Sequence, residues 1–154
     1  MKIHPGLKAS ARHRVNSIDL ADKWGGQASA LASPIMIIFI EKTCMLATDH
    51  LLDPSQMTVG YEFQIKHLAP TPPDWDVDVE VELIAVAGRM MTYRVAARDA
   101  AGLIGEGTHT RCIVDSDGFH ERLDRRRSAR EEAPARAARS AGSGGEGGSL
   151  LSPR

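Results

Sequence analysis

Aromatic side chains and cysteine are scarce in this sequence. At 5% aromatic residues it has too few flat rings for a platform that stacks single-stranded nucleic acid. Its two cysteines, Cys44 and Cys112, stand in no CxxC spacing and have no partnering His pattern, so neither a zinc site nor a disulfide framework is expected. Each is read as a small buried hydrophobe. An excess of one charge is also missing. The net charge is −1, and the chain as a whole offers no case for nucleic acid or an anionic membrane. The longest apolar run, Ile35 to Ile40, is far short of the ~20 residues that cross a bilayer. The opening stretch MKIHPGLKASARHR lacks the apolar centre of a secretory signal, and the chain is expected to be cytoplasmic.

What is present fits one globular domain of ordinary make-up, with 154 residues, 42% hydrophobic and 25% charged. Composition changes after about Phe119. The stretch from His120 onward, ERLDRRRSAREEAPARAARSAGSGGEGGSLLSPR after the histidine, is rich in Arg and Ala, then in Gly and Ser. It holds too little apolar surface to offset its ordering entropy. Residues 1–118 are therefore expected to fold, and 119–154 to be a disordered tail, at most a frayed helix near 121–139. The interspersed Glu and Asp weaken a reading of its arginines as a nucleic-acid tail.

Inside the folded part, LKASARHRV (7–15) reads as a first strand. SIDLADKW reads as a short helix capped by Asn16 or Ser17 and stopped at Gly25-Gly26. A long helix follows, with Ser33 as N-cap, Pro34 at its first position and an end near Leu52. The period then changes to two. YEFQIKHL (61–68), VDVEVEL (77–83), AVAGRMMTYRVAARD and AAGLIGEGTHTRCIV read as four strands joined mostly by short turns, hence a largely antiparallel sheet. A nearly all-apolar helix needs cover on most sides. The fold class is α+β, a long central helix wrapped by a curved antiparallel sheet, which is the hotdog architecture.

Glu41 closes the apolar run, and a bare buried carboxylate costs several kcal/mol or more. It must reach water or find partners; a surface cation is the plain option. Alternation puts Tyr61, Phe63, Ile65 and His67 on the face toward the helix. His67 is then either a core histidine satisfied by a carbonyl or, with Glu41, half of an acid/base couple. Leu103, Gly105, Gly107, His109 and Arg111 share one parity. Arg111 is thus an exposed strand cation, a counter-charge for Glu41, or a holder of an anionic ligand group. Ser33 is most simply a cap, or a hydroxyl that orients substrate or water. It lies about 12 Å of axial rise from Glu41 on one straight helix. If both act, Ser33 folds back over the first turn or different subunits contribute.

The segments ASPIMIIFIEKTC, VGYEFQIKHLAPTPPDWDVDVEVELIAVAGR and GEGTHTRCIV, spread over residues 28–115, resemble the fluoroacetyl-CoA thioesterase family of hotdog proteins. The resemblance implies hydrolysis of a small acyl thioester in a homodimer with its sites at the subunit interface; pairing into tetramers stays open. It places the family's catalytic Glu on Glu41, its His on His67 and its hydroxyl residue on Ser33. It also places a glycine that contributes its backbone on Gly60, and an arginine on Arg111. No metal and no resident cofactor are implied, since coenzyme A is part of the substrate. Two features differ: the hydroxyl residue is Ser, followed by Pro34, and residues 1–27 hold no match to the family's phenylalanine gate. A generic acyl-CoA is therefore the expected substrate. Glu41 would act as base toward water or as nucleophile, His67 would relay the proton, and the Gly60 N–H would polarise the carbonyl. A hotdog enoyl-CoA hydratase and a non-catalytic acyl-CoA or small-ligand binder are the alternatives.

Overall fold

The structure is a computed structural model that describes residues 2–132. Its strands are β1 (Lys8–Arg14), β2 (Gln56–His67), β3 (Asp76–Ala87), β4 (Met90–Asp99) and β5 (Gly102–Asp115). All pairings are antiparallel and the order across the sheet is β1-β3-β4-β5-β2. Strict alternation buries Val77, Val79, Val81 and Leu83 of β3 beside Met91, Tyr93, Val95 and Ala97 of β4. Helix α1 (Ser33–Thr48) lies on that face and buries Ile35, Met36, Phe39, Ile40, Thr43, Cys44 and Ala47, a stripe at helical spacing. The opposite side of α1 stays apolar as well, with Ile38, Met45 and Leu46 exposed.

The two edges of the sheet differ. On the outer face of β1, Arg12 holds Asp78 through two hydrogen bonds of 2.7 and 2.8 Å. Arg14 pairs with Asp76, and Lys8 with Glu82. At the other edge, β2 is hydrogen-bonded to β5 alone among the described strands. It carries exposed Tyr61 and Phe63.

Several expectations change. SIDLADKW makes two short 3-10 turns, Ser17–Asp19 and Ala21–Lys23, in place of one α-helix. The backbone of this segment is spent on loop pairings, with Ala21 N–H bonded to the Ala30 carbonyl and Asp22 N–H to that of Ala28. The long helix ends at Thr48 and a 3-10 turn, Asp49–Leu51, completes it. Ala32 is the N-cap, so Ser33 is already inside the helix and its hydroxyl is free for another partner. Tyr61 leaves the inner face because a β-bulge between Gly60 and Glu62 inserts one residue. Residues 58 and 60 before the bulge therefore face inward together with 63, 65 and 67 after it.

Among the described residues, those up to Asp117 form one compact unit and those from Gly118 on belong to a second. The described part of the second belongs to α2 (Ser116–Glu132), a helix where disorder or a frayed helix was expected. Arg, Glu and Ala have high helix propensity, and the pairs Glu121–Arg125 and Asp124–Arg127 lie at helical spacing. Residues 120–131 are exposed. The rest of the expected tail, 133–154, lies outside the described residues. Among the described residues no helix is long and apolar enough to cross a membrane.

Candidate active site

The sequence-predicted residues fall into two clusters on the seam between α1 and β2. The first is at the start of the helix. Ser33 Oγ and His67 Nδ1 share a hydrogen bond of 2.8 Å. The other ring nitrogen, His67 Nε2, is buried and has no hydrogen-bond partner among the described residues. Burial pushes the His67 pKa below its ordinary value, against a smaller opposite pull from the Ala69 backbone. Burial thus favours the neutral ring, with one nitrogen steadied by Ser33 and the other uncommitted.

The second cluster lies two turns further along α1. Glu41 accepts a 2.9 Å hydrogen bond from Arg111 Nη1 through Oε1. Its side chain is 32% exposed while that of Arg111 is 3% exposed. The carboxylate therefore has a buried partner on one side and water on the other. Gly60 belongs here because of its missing side chain: a Cβ at this position would stand 2.6 Å from Glu41 Oε1 and 3.1 Å from Phe63 Cζ.

Arg111 is bound along its whole fork. Nε donates to Thr58 Oγ1 (3.1 Å). Nη2 donates to the Thr58 carbonyl (3.1 Å) and to Thr58 Oγ1 (2.9 Å). Nη1 also approaches His109 Nε2 at 3.4 Å. The Thr58 hydroxyl in turn donates to Asp49, 3.0 and 3.1 Å from its two carboxylate oxygens. A guanidinium has five N–H groups, and these contacts engage all of them. In this arrangement Arg111 serves Glu41 and has no donor left for an anionic ligand group.

Helix and strand run in opposite directions across the seam, so Ser33 sits at the level of His67 and Glu41 at the level of Gly60. Both Glu41 and His67 face the seam, at different heights. Among the described residues no hydrogen bond or ion pair joins the two clusters. Sequence reasoning did not assign roles to His109, Thr58, Asp49 or Phe63. The shared parity of His109 and Arg111 was the available signal for the first. Thr58 and Gly60 precede the bulge, where simple alternation counted from Tyr61 loses the face.

A helix laid across a five-stranded antiparallel sheet is the hotdog architecture, and the comparisons with known proteins give the class of enzyme built on it. The model of the family "Fluoroacetyl-CoA-specific thioesterase" matches residues 15–117. A fluoroacetyl-CoA thioesterase from Streptantibioticus cattleyicolor is 33% identical over 104 residues, 68% of this chain and 70% of that protein. A solved structure of a fluoroacetyl-CoA thioesterase superposes with a TM-score of 0.75 at 25% identity, covering 86% of this chain and 98% of the other. A thioesterase superfamily member from Thermus thermophilus has the same fold, with a TM-score of 0.75 at 24% identity over 84% of this chain and 96% of the other. The chain belongs to the fluoroacetyl-CoA-specific thioesterase family. It is an acyl-CoA thioesterase.

Proposed function

We propose that this thioesterase cleaves small acyl-CoA thioesters in a site completed by a second copy of the chain. The observation that carries this reading is the separation of the two clusters. A single chain provides Ser33 with His67, and Glu41 with Arg111 and Gly60, at opposite ends of the inward-facing part of β2. Gly60 and His67 are separated by about 20 Å of strand, at roughly 3.3 Å per residue with one residue lost to the bulge. An open strand edge offers unpaired N–H and C=O groups to another strand. Antiparallel pairing of β2 with β2 of a copy, centred on Gln64, keeps inward residues opposite inward residues. It brings Gly60 to His67 of the partner subunit, and Glu41 with it. The exposed Tyr61 and Phe63 on this strand and Ile38, Met45 and Leu46 on α1 supply apolar surface for the homodimer.

In the composite site Glu41 takes the proton from water as it attacks the thioester carbonyl. The C–S bond then breaks, and the coenzyme A sulfur leaves as a thiolate or is protonated through His67, whose Nε2 has the free capacity for it. Ser33 orients that ring through Nδ1. Arg111 fixes one oxygen of Glu41 and leaves the other open, and Gly60 clears the approach to it. The free thiols Cys44 and Cys112 fit a reducing cytoplasm. Family membership favours hydrolysis over hydration of an enoyl thioester and over binding alone. The test is release of thiol from a panel of short, branched and aromatic acyl-CoAs by the wild type, Glu41→Ala and His67→Ala. Both variants are expected to lose most turnover while remaining folded. Wild-type turnover by both would reject the assignment.

A further inference from the structure

His109 is fully buried in β5. Its ring stacks on that of its cross-strand partner Phe63, with centroids 4.1 Å apart and planes 11° from parallel. Nδ1 lies 2.9 Å from the carbonyl of Glu62, a group that only accepts, so Nδ1 carries the proton. Nε2 lies 3.4 Å from Arg111 Nη1, a group that only donates, and 3.7 Å from Glu41 Oε1, too far for a hydrogen bond, so its one hydrogen-bonding neighbour calls for the lone pair. Both neighbours select the same neutral tautomer. Burial pulls the ring pKa down, and Arg111 acts in the same direction. The Glu62 carbonyl and Glu41 act against them.

We infer that His109 is a positioning residue for hydrolysis, acting through Arg111 on Glu41. The guanidinium is a planar fork whose direction is set by its acceptors. Thr58 holds two of its nitrogens. The third, Nη1, is shared between Glu41 Oε1 and His109 Nε2. Removing the imidazole leaves one Nη1–H without an acceptor in a buried setting, and the fork is then free to turn and take the carboxylate with it. The same ring anchors the Glu62 carbonyl next to the bulge that brings Gly60 against Glu41. One histidine thus fixes both sides of the carboxylate, with Phe63 closing over it from the strand edge.

The inference rests on Glu41 being the catalytic carboxylate, and the experiment separates the two. Ring-nitrogen NMR of the labelled full chain at neutral pH is expected to show His109 neutral with its proton on Nδ1. A proton on Nε2, or a cationic ring, overturns the inference without any activity being measured. For kinetics, His109→Leu keeps the bulk and removes both nitrogens, while His109→Gln restores an acceptor. His109→Leu is expected to lower kcat by about ten- to hundred-fold, the range for a lost hydrogen bond to a charged group. KM should stay nearly constant, and His109→Gln should regain part of the loss. If Glu41→Gln is inactive while folded His109→Leu keeps the wild-type kcat, His109 has no positioning role and the catalytic reading stands. If Glu41→Gln is fully active, that reading falls and the inference with it. Equal kcat in the Leu and Gln variants, following only a lowered melting temperature, marks a packing role and overturns the inference. Should His109→Leu not fold, the NMR result and the kcat of His109→Gln, expected between wild type and a tenfold loss, still decide.

Discussion

Mixing two dead variants should give back a live enzyme. Glu41→Ala and His67→Ala each damage both sites of their own homodimer. If a site takes Glu41 from one subunit and His67 from the other, a mixed dimer has one site with both lesions and one with neither. Random assortment makes about half of the dimers mixed, each with one of two sites intact, so about a quarter of wild-type activity returns. The expectation comes from the separation of the two clusters within one chain. Within one chain the helix puts Glu41 about 12 Å beyond Ser33, and the Ser33–His67 hydrogen bond of 2.8 Å ties His67 to the near end. The assay is thiol release after the two variants are co-refolded or co-expressed, with differently tagged subunits to verify that mixed dimers have formed. A cysteine at position 64 supplies an independent check on the strand pairing. Two copies of Gln64→Cys facing each other across antiparallel strands would have Cα atoms about 4.5–5.5 Å apart, within the range of a disulfide. Verified mixed dimers with no more activity than the parents would refute the composite site.

Two further predictions follow from packing and protonation. Gly60→Ala would drive a Cβ to 2.6 Å from Glu41 Oε1. It should cut thiol release by roughly tenfold or more and cost about 1–3 kcal/mol of stability, the range for overpacking; a fully active Ala variant would show that the carboxylate does not need this space. Stability should also fall on acidification below neutrality. His13, His67 and His109 are all held below their ordinary value of 6.5 in the folded chain, with burial the largest cause in each. As pH drops below that value the unfolded chain takes up protons that the folded chain refuses, so unfolding is favoured. The contribution is complete above about pH 6.5 and is lost as pH falls toward the folded-state values. Melting temperatures between pH 8 and pH 5 check this, and a flat or rising trend on acidification would contradict it.

The sheet was legible because its period is clean, and the central helix because Pro34 opens a long apolar run that ends before Pro54. Val77 to Leu83 alternate without interruption, while the helical spacing of the residues buried between Ile35 and Ala47 emerges only in the structure. Short segments with weak patterns were harder. SIDLADKW has helix-forming composition, yet its backbone hydrogen bonds go to a neighbouring loop, and only tertiary pairing decides that. For the site, sequence pattern identified which residues face the seam but not the level at which each sits. Placing Glu41 beside His67 requires a helix and a strand to be in register, and no local pattern encodes that offset. The bulge at Tyr61 hid the network around Arg111 for a related reason. One inserted residue exchanges the faces on either side, so alternation counted from Tyr61 does not carry over to Thr58 and Gly60.

The unlike margins of the sheet bear on assembly. At β1, Lys8, Arg12 and Arg14 are already engaged by acidic residues on the neighbouring strand, and an approaching chain would meet a row of charge. At β2 the exposed row holds Tyr61 and Phe63, with only Glu62 and Lys66 charged between and beyond them. The sheet thus has one edge lined with ion pairs and one edge with exposed aromatic residues. If β2 pairs with β2 of a second copy, as proposed, both open edges are used and the charged β1 margins are the ones left at the ends.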